Sequence, residues 1–253
     1  MAVKQAKVFT ITGVKGGVGK TTTTLNLAGI FSLKKLKTLI IDMDLYSGGI
    51  ALSLNIETDK DLFHITDDMN NNRFDHIENY VARYNEYIDC ITAPIDPRLA
   101  SQIGSNYIDL ILARAKMKYD VILIDTNHIL SEMNLVVMDA SDEIIYVVSN
   151  DPVDIKNMKT MVAILKDMDR SNYRIILNES CDMEKDCFSK YDIKNILKDN
   201  IDYTIPNSFY HKDIDEYVLD GKIMTLSSKV QSKDKKAMKN FELIADALLK
   251  ESK

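Results

Sequence analysis

The residues best suited to chemistry are the ten from Gly13 to Thr22, Gly13-Val14-Lys15-Gly16-Gly17-Val18-Gly19-Lys20-Thr21-Thr22. Glycines let a backbone approach a phosphate chain closely. Successive amide N–H groups turned inward at the start of a helix, where the dipole also favours an anion, make a cradle for that chain. Gly16, Gly17, Val18, Gly19 and Thr22 would supply the cradle's backbone. Lys20 would reach the β- and γ-phosphates, and the Thr21 hydroxyl would help to hold Mg²⁺. The usual pattern G-x-x-x-x-G-K-[ST] wants glycine at position 14. This chain has Val14 there, a glycine one place earlier, and a second lysine, Lys15, at the loop entrance.

Two acidic stretches belong to the same chemistry. Leu39-Ile40-Ile41-Asp42-Met43-Asp44 sets two carboxylates at the end of an apolar run, and Val121-Ile122-Leu123-Ile124-Asp125 sets one at the end of another. Acids at strand ends are often plain loop caps. Apolar residues followed by an acid, downstream of a phosphate loop, are also the Walker B pattern, whose carboxylate holds a Mg²⁺ water and senses the γ-phosphate. That role falls to Asp125. Asn127 and His128 follow on a polar loop, and the sequence gives His128 no more than a surface position.

These residues must be held by strands and helices in alternation. Apolar, β-branched runs recur at 8–12, 38–41, 87–92, 121–124, 144–148, 174–177 and 203–205, and helical spacing appears at 108–115 and 158–165. Alternation of this kind predicts an α/β fold, a doubly wound and mainly parallel sheet flanked by helices, with function at the carboxyl ends of the strands. No internal repeat and no Pro/Gly-rich linker interrupts it, so residues 1–253 are expected to form one domain.

Composition narrows the classes further. Apolar residues make up 45% and charged residues 28% of 253, ordinary values for a chain with a real core. A net charge of −6 argues against a general nucleic-acid binder. Three widely spaced cysteines, Cys90, Cys181 and Cys187, suit a reducing compartment better than a disulfide framework and match no strong zinc spacing. The first residues lack a signal peptide's apolar core, and no run approaches the ~18 apolar residues of a membrane span. A cytoplasmic protein is expected.

The run Lys15-Gly16-Gly17-Val18-Gly19-Lys20-Thr21-Thr22 resembles the deviant Walker A loop of the MinD/ParA family of P-loop ATPases. The resemblance implies ATP and Mg²⁺ as ligands, slow hydrolysis, and an ATP-dependent homodimer in which Lys15 reaches the partner's nucleotide. It makes Asp44 the residue that orients or activates the attacking water, and Asp42 a support for the loop and the Mg²⁺ shell beside Thr21 and Asp125. Tyr173 to Asn178 is similar to the family's strand ending in an asparagine that reads adenine. Tyr203-Thr204-Ile205-Pro206 is similar to the strand and turn whose backbone flanks the base.

Within the family, Asp42 to Leu54 and Ala93-Pro94 with Pro97 look like segments of the CpaE/TadZ-like branch, which serves pilus assembly and localisation. The receiver-like domain that often precedes the ATPase in that branch is not expected here, because the phosphate loop starts almost at once. Iron–sulfur relatives need cysteines after Asp125 placed as cluster ligands, which that region lacks, and related tyrosine kinases lack the Lys15-type residue and end in a tyrosine cluster. The expected partners are a second copy of the chain and an unknown protein cargo or activator. DNA is disfavoured, and a membrane or cell pole would be reached only peripherally or through a partner. A basic amphipathic tail, with Ala237, Met238, Phe241, Ile244, Ala245, Leu248 and Leu249 at helical spacing, reads as core packing with a solvated lysine face. The alternatives are a nucleotide-holding scaffold with little ATPase activity and a ParA-like DNA-partitioning ATPase.

Overall fold

The computed structural model describes residues 6–179, 188–209 and 214–250. Its first half runs β1 (Lys7–Thr12), α1 (Lys20–Leu33), β2 (Thr38–Met43), α2 (Gly49–Leu54), α3 (Leu62–Asn70), β3 (Ala82–Arg83), β4 (Ile88–Ile91), α4 (Ile108–Ala115) and β5 (Val121–Thr126). Its second half runs α5 (Glu132–Asp139), β6 (Glu143–Ser149), α6 (Pro152–Asp167), β7 (Tyr173–Asn178), α7 (Lys190–Leu197), β8 (Tyr203–Ile205), α8 (Ile214–Leu219), α9 (Ser228–Lys233) and α10 (Lys235–Leu249).

The strands form one sheet in the order β3-β4-β2-β5-β1-β6-β7-β8. Every pairing is parallel except β3 with β4. Connections lead to one side of β1 through β2 and β5 and to the other through β6, β7 and β8. The reversal puts a crevice at the carboxyl end of β1, where ligands bind in open sheets of this kind. Each apolar run expected to be a strand is one. The two-residue β3, too short to show a period, is the addition.

Alternate residues of each strand enter opposite cores. Phe9, Ile40, Leu123, Ile145 and Val147 pack with α1 and α10 on one face. On the other, Val8, Leu39, Ile41, Ile122 and Ile124 pack with α3 to α5, and Ile144, Tyr146 and Val148 with α6 and α7. Helix α1 is buried from Thr23 to Ser32, and its buried Thr23 and Asn26 side chains donate to the Gly19 and Thr22 carbonyls. In α10, Ala237, Met238, Phe241, Ile244, Ala245 and Leu248 are buried while Lys235, Lys236 and Lys239 face outward, which is the core-packing arrangement. Among the described residues no helix is long and apolar enough to cross a membrane. Cys90 is a buried free thiol, whereas Cys181 and Cys187 lie outside the described residues.

Candidate functional site

The loop between β1 and α1 owes its path to its glycines. A Cβ on Gly13 would stand 2.8 Å from the Val147 carbonyl oxygen, so the chain leaves β1 hard against β6. Gly17 and Gly19 take φ of 75° and 94°, the left-handed region that side chains avoid. Val14, where the common pattern has glycine, packs instead against the apolar cluster of Tyr146 and Val148. Helix α1 then starts at Lys20 with no side-chain cap on its first amides and no acid in its first turn. Its N–H groups and its positive dipole end are therefore available to an external anion.

Inside the loop, Lys20 is 9% exposed and its ammonium donates to the Lys15 carbonyl at 3.3 Å. Burial pulls its pKa below the ordinary lysine value, against the opposing pull of Asp125, Asp44 and Asp154. Asp125, at the end of β5, is held from α1. The Thr21 hydroxyl donates to its Oδ2 at 2.6 Å and the Thr24 hydroxyl to its Oδ1 at 3.0 Å. Burial pushes the Asp125 carboxyl up to about 6, while the two threonines and Lys20 oppose the rise. Thr24 did not stand out in the sequence, although residues three apart share a helix face and the threonine run 21–24 carries that signal.

Asp42, in register with Asp125 across β2 and β5, is fully buried. Its Oδ1 accepts from the Asp44 amide at 3.1 Å and its Oδ2 from the Ile50 amide at 3.0 Å, which closes the intervening loop onto the strand end. Burial first, and Asp125 second, push its carboxyl up to about 8. Asp44 is half-buried in that loop; its carbonyl accepts from Ser47 and Gly48. Among the described residues its carboxylate has no hydrogen-bond or ion-pair partner, so it is available to a water.

The remaining expected residues are spread along the same edge. The Lys15 ammonium, on the side of β6, pairs with Asp151 at 3.1 Å within its own chain. Asp151 also caps α6 by accepting from Val153 and Asp154, and those bonds with Lys15 hold its carboxyl below the usual range. Asp154 is fully buried and takes both the amide and the hydroxyl of Ser149 on Oδ2; among the described residues its Oδ1 has no partner. Asn178 is buried with its Nδ2 donating to the Val18 carbonyl at 2.8 Å, so it braces the phosphate loop itself. It is in register with Ile205, which sets Pro206 beside it at the far end of the edge. The structure thus gathers Lys20, Thr21, Asp42, Asp44 and Asp125 on the β2–β5–β1 side, and Asn178 and Pro206 on the β7–β8 side. Asp151, Asp154 and His128 are polar residues around the loop; sequence reasoning assigned nothing to the two acids and a surface position to His128, which is exposed. Only a fold that bends two further strand ends toward the loop reveals them.

The donor set fits a magnesium nucleotide. Mg²⁺ takes hard oxygen ligands, keeps several waters and is held by few protein groups beside substrate phosphates. A hydroxyl and a carboxylate meeting at 2.6 Å beneath an uncapped helix end answer that description. Among the described residues no group of three or more His, Cys, Asp or Glu stands ready as a self-contained metal cage.

Residues 6–183 match the family model described as AAA domain. The fold superposes on a ParA family ATPase from Chlorobium tepidum with a TM-score of 0.81 at 22% identity, covering 96% of this chain and 99% of that one. It superposes on the septum site-determining protein MinD of Pyrococcus horikoshii, solved with Mg-ADP, with a TM-score of 0.77 at 21% identity, covering 97% and 96%. These likenesses establish the fold, a P-loop NTPase sheet of the ParA and MinD kind. In sequence, 151 residues are 30% identical to the sporulation initiation inhibitor protein Soj of Bacillus subtilis, 55% of this chain and 56% of that protein. The chain spans about half the length of the first curated relatives it matches.

Proposed function

The chain belongs to the AAA domain family, and from that premise we propose that it is a Mg²⁺-dependent ATP-binding and hydrolysing switch of the MinD/ParA type. In this reading residues 1–253 act as one P-loop domain. The observation that carries it is the Thr21–Asp125 bond at 2.6 Å, which ties the strand-end acid to the first turn of the uncapped helix behind the phosphate loop.

Phosphoryl transfer needs positioning and charge stabilisation more than covalent chemistry. Lys20 and the loop amides of Gly16, Gly17, Val18, Gly19 and Thr21 bind and orient the phosphates, with Thr22 completing the turn. Thr21 and Asp125 would hold Mg²⁺, and Asp42 would keep the neighbouring loop in place around it. Mg²⁺, when bound there, would supply charge to neutralise the phosphates. Asp44, its carboxylate free, holds the attacking water. Asn178 fixes the loop through Val18 and, with the backbone at Pro206, lies on the side left for adenine.

The dimer belongs to the same proposal. Two subunits meet face to face when the γ-phosphate of one offers a charge that Lys15 of the other neutralises, and Lys15 leaves Asp151 to do so. The surface created recruits a protein cargo or activator, and hydrolysis dissolves it, a two-state device biased by one phosphate. The 42–54 and 93–97 segments support a CpaE/TadZ-like role in positioning or assembling a pilus or secretion apparatus. Both border the same edge, where the Ile95 amide donates to Asp61.

Calorimetry tests the first half: Lys20→Ala should abolish nucleotide binding, and retained binding would refute the site. Light-scattering mass tests the second. Asp44→Ala with Mg²⁺ and ATP should double in mass, and Lys15→Ala should prevent it. An unchanged mass with ATP, ADP or no nucleotide would leave a static nucleotide-holding scaffold as the better account.

A further inference from the structure

His128 follows β5 on an exposed loop, yet the loop is pinned on both sides of it. Upstream, the Thr126 hydroxyl donates to the Ile11 carbonyl at 3.1 Å, tying the strand end to β1. Downstream, Asn127 Oδ1 accepts from the Ile129 amide at 2.9 Å. The buried Asn134 of α5 donates through Nδ2 to both Asn127 Oδ1 at 2.8 Å and the Ile129 carbonyl at 2.7 Å. A turn fastened this way presents its middle side chain in a fixed direction.

That direction is toward the phosphate loop. The imidazole Cε1 and Nδ1 of His128 lie 3.7 Å from the place where a Cβ on Gly16 would stand, so the ring rests over the open outer face of that glycine. Among the described residues it has no hydrogen-bond or ion-pair partner, and a ring N–H is free to donate. Lys15, the neighbour of Gly16 in the chain, is drawn away toward α6 by Asp151. His128 is therefore an unengaged side-chain donor at the loop's mouth.

The side of the loop on which it stands decides which phosphate it meets. Asp125, three residues earlier, and Asp44 lie on this side of β1, with the Mg²⁺-holding Thr21. Asn178 and Pro206, the adenine side in the functional reading, lie beyond β6. In the functional reading, the end of the nucleotide nearest His128 is its terminal phosphate. We propose that His128 donates a hydrogen bond to the γ-phosphate held in its own subunit's loop and so sets the preference for a nucleoside triphosphate over a diphosphate. The inference rests on the nucleotide-switch reading and adds a contact made before any dimer forms.

The test is calorimetric affinity for Mg-AMPPNP and Mg-ADP in wild type, His128→Ala and His128→Gln, each also in a Lys15→Ala background. A hydrogen bond to a charged group predicts that His128→Ala binds AMPPNP about tenfold more weakly with ADP affinity unchanged to about twofold, and that His128→Gln recovers most of the loss. The same effect should persist without Lys15. Equal losses for both nucleotides would make His128 a prop for the loop, and no loss would make it a bystander; either overturns the proposal. Disappearance of the effect in Lys15→Ala would assign the contact to a dimer and overturn the within-subunit geometry. If wild type bound neither nucleotide, the functional reading itself would fall and this proposal with it.

Discussion

Asp42 and Asp125 stand side by side at the ends of β2 and β5, each at most 1% exposed, and they differ in what holds them. Both oxygens of Asp42 take backbone amides, of Asp44 and Ile50. Both oxygens of Asp125 take threonine hydroxyls, of Thr21 and Thr24. An amide cannot turn away, and if its acceptor is removed it is left unpaired in the interior. A hydroxyl rotates, accepts as well as donates, and can turn a lone pair to a cation while its proton stays on the acid. Two acids in the same sheet position are thus held differently, Asp42 by amides that cannot turn and Asp125 by hydroxyls that can.

The largest effect should come from breaking the fixed part. Asp42→Ala orphans two amides, each costing about 1–3 kcal/mol, so denaturant unfolding should show a loss of about 2–6 kcal/mol. Asp125→Ala, whose threonines can turn to other acceptors or water, should lose clearly less. Equal losses would mean that the hydroxyls are held as firmly as the amides and would erase the distinction.

The next effect belongs to the ligand site. Asp125→Asn should leave the fold intact and weaken Mg²⁺-dependent nucleotide binding about 10–100-fold, the range found for groups that orient a metal's ligands. Titration of Mg²⁺ at fixed ADP measures it. Asp42→Asn should change that titration far less. A matching loss there would move Asp42 from the scaffold into the metal shell.

A smaller effect is in the pH dependence of the nucleotide-free protein. Both folded carboxyls lie above the ordinary 3.8, at about 6 for Asp125 and about 8 for Asp42. Protonation therefore favours the folded state. The stability these two groups contribute is fully present below pH 4, and is lost as pH rises through about 6 and then about 8. Asp42→Asn imitates the neutral acid, so its melting temperature should gain on wild type as pH rises from 5 to 8.5, two buffer values bracketing about 6 and about 8. A constant gap across that range would show that Asp42 is not the titrating group.

How much of this was legible in the sequence follows from the range of each signal. The loop Lys15 to Thr22, the three acids and seven strands are written in contiguous residues, because a strand of buried β-branched side chains and a turn of glycines are local events. The mainly parallel character of the sheet followed from alternation, whereas the order of its strands is seen only in the structure. His128 was read as a surface residue and is exposed, but three ties could not be read, since sequence spacing does not bring the partners together: Thr24 to Asp125, Asp151 to Lys15, and His128 to Gly16. Asn178 was found through the resemblance of its strand to one in the MinD/ParA family. Its bond to the Val18 carbonyl, across 160 positions, was visible only in the folded chain.

The smallest effect concerns an acid outside the low-dielectric interior. Asp151 is 30% exposed and Lys15 40%, so their pair at 3.1 Å is screened in a way that neither strand-end acid is. Such pairs contribute at most about 1 kcal/mol. Asp151→Ser keeps an oxygen for the α6 cap and removes the charge that holds Lys15 in its own subunit. The unfolding free energy should therefore change by less than about 1 kcal/mol, and the ATP-bound dimer of Asp44→Ala should form at a concentration lower by up to about fivefold. Sedimentation across a dilution series reads the shift. A dimer that weakened instead would mean that Asp151 guides Lys15 toward the partner rather than restraining it, and the exposed acid would then join Asp125 among the residues that act on the nucleotide.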